Sequence, residues 1–198
     1  MEKKERIGFY FALSCLKMLS GQQSEIVLAI DIGSSSVRCS AYNMSGSCVG
    51  SRVQLPHEPD ERGFFDASAL VHRVNDAVEA SLAQLESTRL RVVAVGFSCF
   101  VMNLVGVDSQ GNAVTPLLSY SHCGDEVGAH VERLRSRLAA SGELHDTAQR
   151  TGAPLHASYA PAQLSWLAEA HPGMLERVAK WQTIPAMVQA RRLLMLRT

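Results

Sequence analysis

The stretch Ile26-Val27-Leu28-Ala29-Ile30-Asp31-Ile32-Gly33-Ser34-Ser35-Ser36-Val37-Arg38 decides the fold. It opens on an unbroken apolar run that ends at Asp31 and Gly33, the pattern of a strand buried on both faces. The residues that follow return at once in a second strand, Val37 to Asn43. Ser45-Gly46 then makes a turn into a third, Cys48 to Gln54, so the three read as an antiparallel meander. The connection itself is chemically loaded. Small residues let backbone N–H groups close around an anion, and Ser34, Ser35 and Ser36 add hydroxyl donors. Asp31 would repel a phosphate directly but can hold a Mg²⁺ that bridges to it. On its own, however, D-x-G-S-S-S is equally an ordinary hairpin turn.

Working outward, Leu55 to Phe65 carries two prolines, Gly63 and several charges, and reads as a loop. Asp66 can cap a helix whose apolar face is Val71, Val74, Val78, Leu82 and Leu85. Val92 to Ser98 reads as another buried strand and Met102 to Val107 as a fifth, closed by the turn residues Asp108-Ser109-Gln110-Gly111. Beyond Pro116 the pattern is helical: Val127, Val131, Leu134 and Leu138 share one face, a short helix surrounds Leu144 and Ala148, and Pro161 opens a third. Met174 to Trp181 continues the helical pattern, and Pro185 can start a last helix. The sum is an α/β domain with a mixed five-stranded sheet.

Composition excludes several classes. The 198 residues hold 19 Lys+Arg against 19 Asp+Glu with 46% hydrophobic residues, which rules out a disordered chain. The balanced charge offers no basic surface for nucleic acid. The five cysteines (Cys15, Cys39, Cys48, Cys99, Cys123) are scattered and odd in number, as expected of reduced thiols in a cytoplasmic protein. Ile7 to Leu19 is apolar but interrupted by Lys17, preceded by Glu2 and Glu5, and lacks a small-residue cleavage site. Residues 1–24 therefore read as an N-terminal extension, and no segment reads as a membrane span.

Three separated segments change the balance for Asp31. IDIGSSSVR (30–38), VVAVGFSCF with NLVGVDSQGNAVTPLLSY (92–120), and RTGAPLHASYAPAQLSWLAEAHP (150–172) together resemble the N-terminal domain of the FGGY family of carbohydrate kinases, in its gluconokinase- and xylulokinase-like branch. The resemblance spans about Ile26 to Trp181. It implies the ribonuclease-H-like fold shared with actin and hexokinase, and ATP-dependent phosphorylation of a sugar or sugar acid, with a homodimer left open. It assigns Asp31 to Mg²⁺, and Gly33, Ser34, Ser35 and Ser36 to the phosphates of ATP. Arg38 fills the family's basic position but could equally be a solvated strand residue, the reading preferred on the sequence.

The sugar-site motifs are altered. Where the resembled branch has an aromatic and a His, this chain has Val101 and Met102, leaving Ser98, Cys99 and Asn103 as polar candidates. Where the family has Trp-x-Asp-x-Arg, the chain reads Tyr120-Ser121-His122-Cys123-Gly124, which preserves neither charge nor bidentate geometry. Tyr120 and His122 remain candidates for a polyol, as do His156 and Tyr159. The family's general base is an Asp in a later G-x-x-D-Q motif, and its adenosine site lies in a second domain. On that pattern residues 25–198 are an incomplete N-terminal domain, and catalytic residues within the chain are none. Two expectations follow: a sugar kinase inactive as this chain alone, or a non-catalytic relative that keeps the fold as an interaction module.

Overall fold

A computed structural model describes residues 24–61, 64–85, 89–121 and 125–195. The chain separates into two compact units. Among the described residues, the first takes its members from 24–57, 71–99 and 185–195, and the second from 58–70 and 100–184.

The first unit is built on a mixed sheet of strands β1 (Ser24–Ile32), β2 (Ser36–Asn43), β3 (Cys48–Pro56) and β4 (Leu90–Cys99), in the order β3-β2-β1-β4. β1 and β2 pair antiparallel from Ile26↔Asn43 to Ile32↔Val37, and β3 follows antiparallel, as the meander reading expects. β4 runs parallel to β1, with a register shift at Ile26/Val27. Ile26, Leu28, Ile30 and Ile32 alternate into the core, as a period of two demands, while Ala29 between them is exposed, so β1 is buried on one face and not on both as its unbroken apolar run suggests. The same unit buries Val71, Val74, Ala77 and Val78 of helix α1 (Ala67–Ala83), whose spacing puts them on one face.

The second unit pairs β5 (Leu104–Val107) antiparallel with β6 (Lys180–Thr183). Its helices are α2 (Asp125–Ala140), α3 (Glu143–Thr151), α4 (Ala160–Ala170) and the single turn α5 (Pro172–Leu175). Its core gathers Phe64, Leu118, Val127, Val131, Ala162, Trp166 and Leu167. Helix α6 (Ile184–Met195) follows β6 and contributes buried Met187 and Val188 to the first unit. No helix of the described residues is long and apolar enough to cross a membrane.

Among the described residues, three further expectations are corrected. The mixed sheet holds four strands and not five, because Met102 adopts a left-handed φ of 54° that turns the chain before β5, which pairs elsewhere. The helical pattern of Met174 to Trp181 gives way after α5 to β6, where Gly106↔Trp181 and its neighbours supply partners for the backbone. β4, read as buried, is an edge strand with exposed valines.

Candidate functional site

Asp31 is placed by β1 one residue before its end, opposite Arg38 on β2 and beside Ser98 on β4. The Arg38 Nη1 donates to Asp31 Oδ2 at 2.8 Å, with the two side chains 33% and 47% exposed. A pair this wet adds at most about 1 kcal/mol to stability. Arg38 is thus a partly solvated strand residue, as read, that also pairs with Asp31. The same guanidinium crosses Gly33: a Cβ there would stand 3.1 Å from Arg38 Nη1 and 3.1 Å from the Ser36 carbonyl oxygen. Close approach, and not backbone dihedral, is what favours glycine here.

The turn after β1 is closed by the Gly33 N–H donating to the Ser36 carbonyl at 3.0 Å. Ser36 is buried and its hydroxyl accepts from Gln54 Nε2 at 3.3 Å. Ser34 is half-buried and Ser35 exposed, and their N–H and hydroxyl groups donate to no other described residue. That leaves a short row of donors next to a carboxylate and a guanidinium. The row lies at the carboxyl ends of two parallel strands, where open α/β sheets bind ligands.

His57, which sequence reading missed, braces this turn from the end of β3. Its Nε2 lies 2.8 Å from the Gly33 carbonyl oxygen, and its backbone N–H donates to the Ser35 carbonyl at 3.0 Å. Burial pushes the imidazole below its usual pKa, the Gly33 carbonyl works against that, and the charge of Arg73 adds to it. The ring is therefore neutral at pH 7, and because a carbonyl can only accept, Nε2 carries the proton. Nothing local in the sequence signals this contact, since 24 residues separate the partners.

Two cofactor groups can be tested against these residues. Among the described residues no cluster of three or more His, Cys, Asp or Glu could hold a metal ion. A divalent cation here would rest on the one carboxylate of Asp31, which suits Mg²⁺, an ion that keeps water and phosphate oxygens as its other ligands. The free donors of Ser34 and Ser35 and the Arg38 guanidinium are groups of the kind that a triphosphate would accept from.

The sugar-site candidates fall into both units. Ser98 and Cys99 end β4 in the first, Ser98 exposed and in register with Asp31. Asn103, Tyr120, His156 and Tyr159 belong to the second. Asn103 is occupied by architecture: its Nδ2 donates to the Phe100 carbonyl and its Oδ1 accepts from the Ile184 N–H at 3.0 Å. Tyr120 lies edge-on to Phe100, with ring centres 6.5 Å apart. His156 and Tyr159 are brought together, ring centres 5.6 Å apart, at the turn that starts α4. His122 lies outside the described residues. Sequence reading also missed His130, a buried imidazole bridging α2 to α4, with Nε2 2.9 Å from Ser165 Oγ and Nδ1 3.1 Å from Glu169.

Known proteins share this arrangement of elements. L-fuculokinase from Escherichia coli K12 is 27% identical over 175 residues, covering 85% of this chain and 35% of that protein. The ligand-bound xylulose kinase from Lactobacillus acidophilus superposes with a TM-score of 0.71 at 15% identity, over 84% of this chain and 33% of that one. Plasmodium falciparum glycerol kinase with ADP gives 0.71 at 15%, over 83% and 33%. The chain thus spans about a third of the length of the relatives it matches. These likenesses bear out the expected ribonuclease-H-like α/β fold of the actin and hexokinase type. Since residues 26–192 match the family described as the FGGY family of carbohydrate kinases, N-terminal domain, the chain belongs to that family.

Proposed function

We propose that this chain provides the phosphate-binding part of an ATP-dependent carbohydrate kinase acting on a sugar or sugar acid in the cytoplasm. The observation that carries the reading is the turn Gly33–Ser36, with donors at Ser34 and Ser35 beside the Asp31–Arg38 pair at 2.8 Å. When bound, Mg²⁺ would screen the phosphates and polarise the transferring group. The chain's own residues orient: Asp31 fixes the cation's side of the turn, Arg38 places a positive charge over Gly33, and Ser34 and Ser35 present N–H and hydroxyl donors. Ser98, in register with Asp31 on β4, is a polar group that an acceptor hydroxyl could use. Residues 25–198 act in this reading as the family's N-terminal domain, with 1–24 as an extension.

Titration calorimetry of the chain with ATP tests this. Binding is expected to require Mg²⁺, and Asp31→Asn is expected to weaken it about tenfold, the value of one charged contact. Absence of nucleotide binding, or binding that ignores both EDTA and Asp31→Asn, would overturn the reading.

One observation favours a second reading, a non-catalytic relative. Val101 and Met102 are exposed apolar side chains at the positions where the resembled branch carries an aromatic and a His. A coupled assay for ADP release over gluconate, xylulose, ribulose and glycerol tests the second reading: turnover on any of them eliminates it.

A further inference from the structure

A peptide plane fixes its N–H opposite its C=O, and in a trans peptide the two point in opposing directions. The described residues contain no cis peptide. Around the turn, both carbonyls that His57 engages belong to peptides that carry serine N–H groups. The Gly33 carbonyl shares its plane with the Ser34 N–H, and the Ser35 carbonyl shares its plane with the Ser36 N–H. His57 Nε2 stands 2.8 Å from the first carbonyl and the His57 backbone N–H 3.0 Å from the second. One residue, reached through a separate strand, therefore holds two peptide planes in one orientation.

We infer that His57 is a positioning residue that locks the Gly33–Ser34 peptide so that the Ser34 N–H faces away from β3 and toward a bound phosphate. The alternative orientation, with the peptide flipped, would aim the Gly33 carbonyl at the anion and remove a donor. Glycine has no Cβ to resist such a flip, so Gly33 needs an external partner for its carbonyl. Gly33 N–H is already spent on Ser36, which fixes one side of the residue but leaves its carbonyl to His57. The histidine is thus matched to the weakness that the glycine introduces. Its neutral ring supplies one donor without adding positive charge beside Arg38, and Arg73 is the cation whose charge reaches it from α1.

The inference rests on the phosphate reading of the turn, and the experiment separates the two. In the wild-type chain without nucleotide, a scalar coupling across the hydrogen bond between His57 Nε2 and the Gly33 carbonyl carbon is expected by NMR, and its absence overturns the lock. His57→Leu removes the donor at similar volume, while His57→Gln keeps an N–H at the ε position. His57→Leu is expected to move the Ser34 amide resonance, speed its hydrogen exchange about tenfold, and weaken Mg²⁺-ATP binding about tenfold. His57→Gln is expected to restore both within about threefold. Equal affinity and an unmoved Ser34 amide in a folded His57→Leu chain overturn the proposal. If the wild type binds no nucleotide while the coupling and the Ser34 shifts behave as described, the phosphate reading fails and the lock stands.

Discussion

At Gly106 in β5, a Cβ would meet Val178 Cγ2 at 2.6 Å and Thr115 Cγ2 at 2.8 Å. Neither neighbour is the loose end of a long side chain, and the Gly106 N–H is also spent on Thr115 Oγ1 at 2.8 Å. Gly106→Ala must therefore displace the β5 contacts, at a cost of about 1–3 kcal/mol. Both tryptophans, Trp166 and Trp181, lie in the second unit, so urea unfolding followed by fluorescence reads this loss directly, and an unchanged midpoint would refute it. His57 gives a pH-dependent counterpart in the first unit. Its pKa is lowered in the fold mainly by burial, so the unfolded chain, with its histidine near about 6.5, takes up protons more readily. The stability that neutral His57 contributes is present above about pH 6.5 and is lost as pH falls through the lowered folded pKa. The melting temperature of the wild type should drop more steeply from pH 7.5 to 5.5 than that of His57→Gln. Parallel curves would refute the assignment.

β4 shows what an element inherits from its neighbours. It pairs with β1 along one side and forms an edge of the sheet, with Val93 39% and Val95 46% exposed. A long apolar edge is a template for pairing with another chain, and one lysine is a usual deterrent. Any self-association through this edge in sedimentation velocity is expected to be lost in Val95→Lys, with unfolding free energy changed by no more than about 0.5 kcal/mol. Association that survives the charge would place the contact elsewhere. The run Val92 to Ser98 was legible as a strand because β-branched residues between turn signals say so. Its exposure was not legible, because an apolar run carries no record of whether anything covers it. β1 to β3 were legible in order and direction, since tight turns at Gly33–Ser36 and Ser45-Gly46 leave antiparallel return as the short path. β6 was not: its four residues form a strand only because β5 offers a partner more than seventy residues earlier, a pairing invisible to local periodicity. At the site, the chemistry of Asp31 to Ser36 alone left a phosphate site and a plain hairpin turn equally open until the family resemblance tipped it, whereas the Arg38 pairing and the His57 contact arise from register and from residues far apart in sequence.

Across the whole molecule, 19 cationic and 19 anionic side chains cancel, so the protein projects little long-range field toward a polyphosphate. Recognition in the proposed reading is then confined to contacts of a few ångströms, such as the Asp31–Arg38 pair at 2.8 Å and the donors beside it. Contacts of that length sit well inside the screening distance of about 8 Å at physiological salt, whereas attraction by a distributed basic surface does not. A shallow salt dependence follows. Raising KCl from about 50 to about 300 mM should weaken Mg²⁺-ATP binding by less than about fivefold, against the thousandfold or greater losses of proteins that neutralise many phosphates at once. The same argument predicts that the chain passes through a heparin column at about 0.15 M salt without retention. Strong retention, or a steep fall in nucleotide affinity with salt, would mean that charge is clustered on a surface and that the turn is not the seat of phosphate recognition.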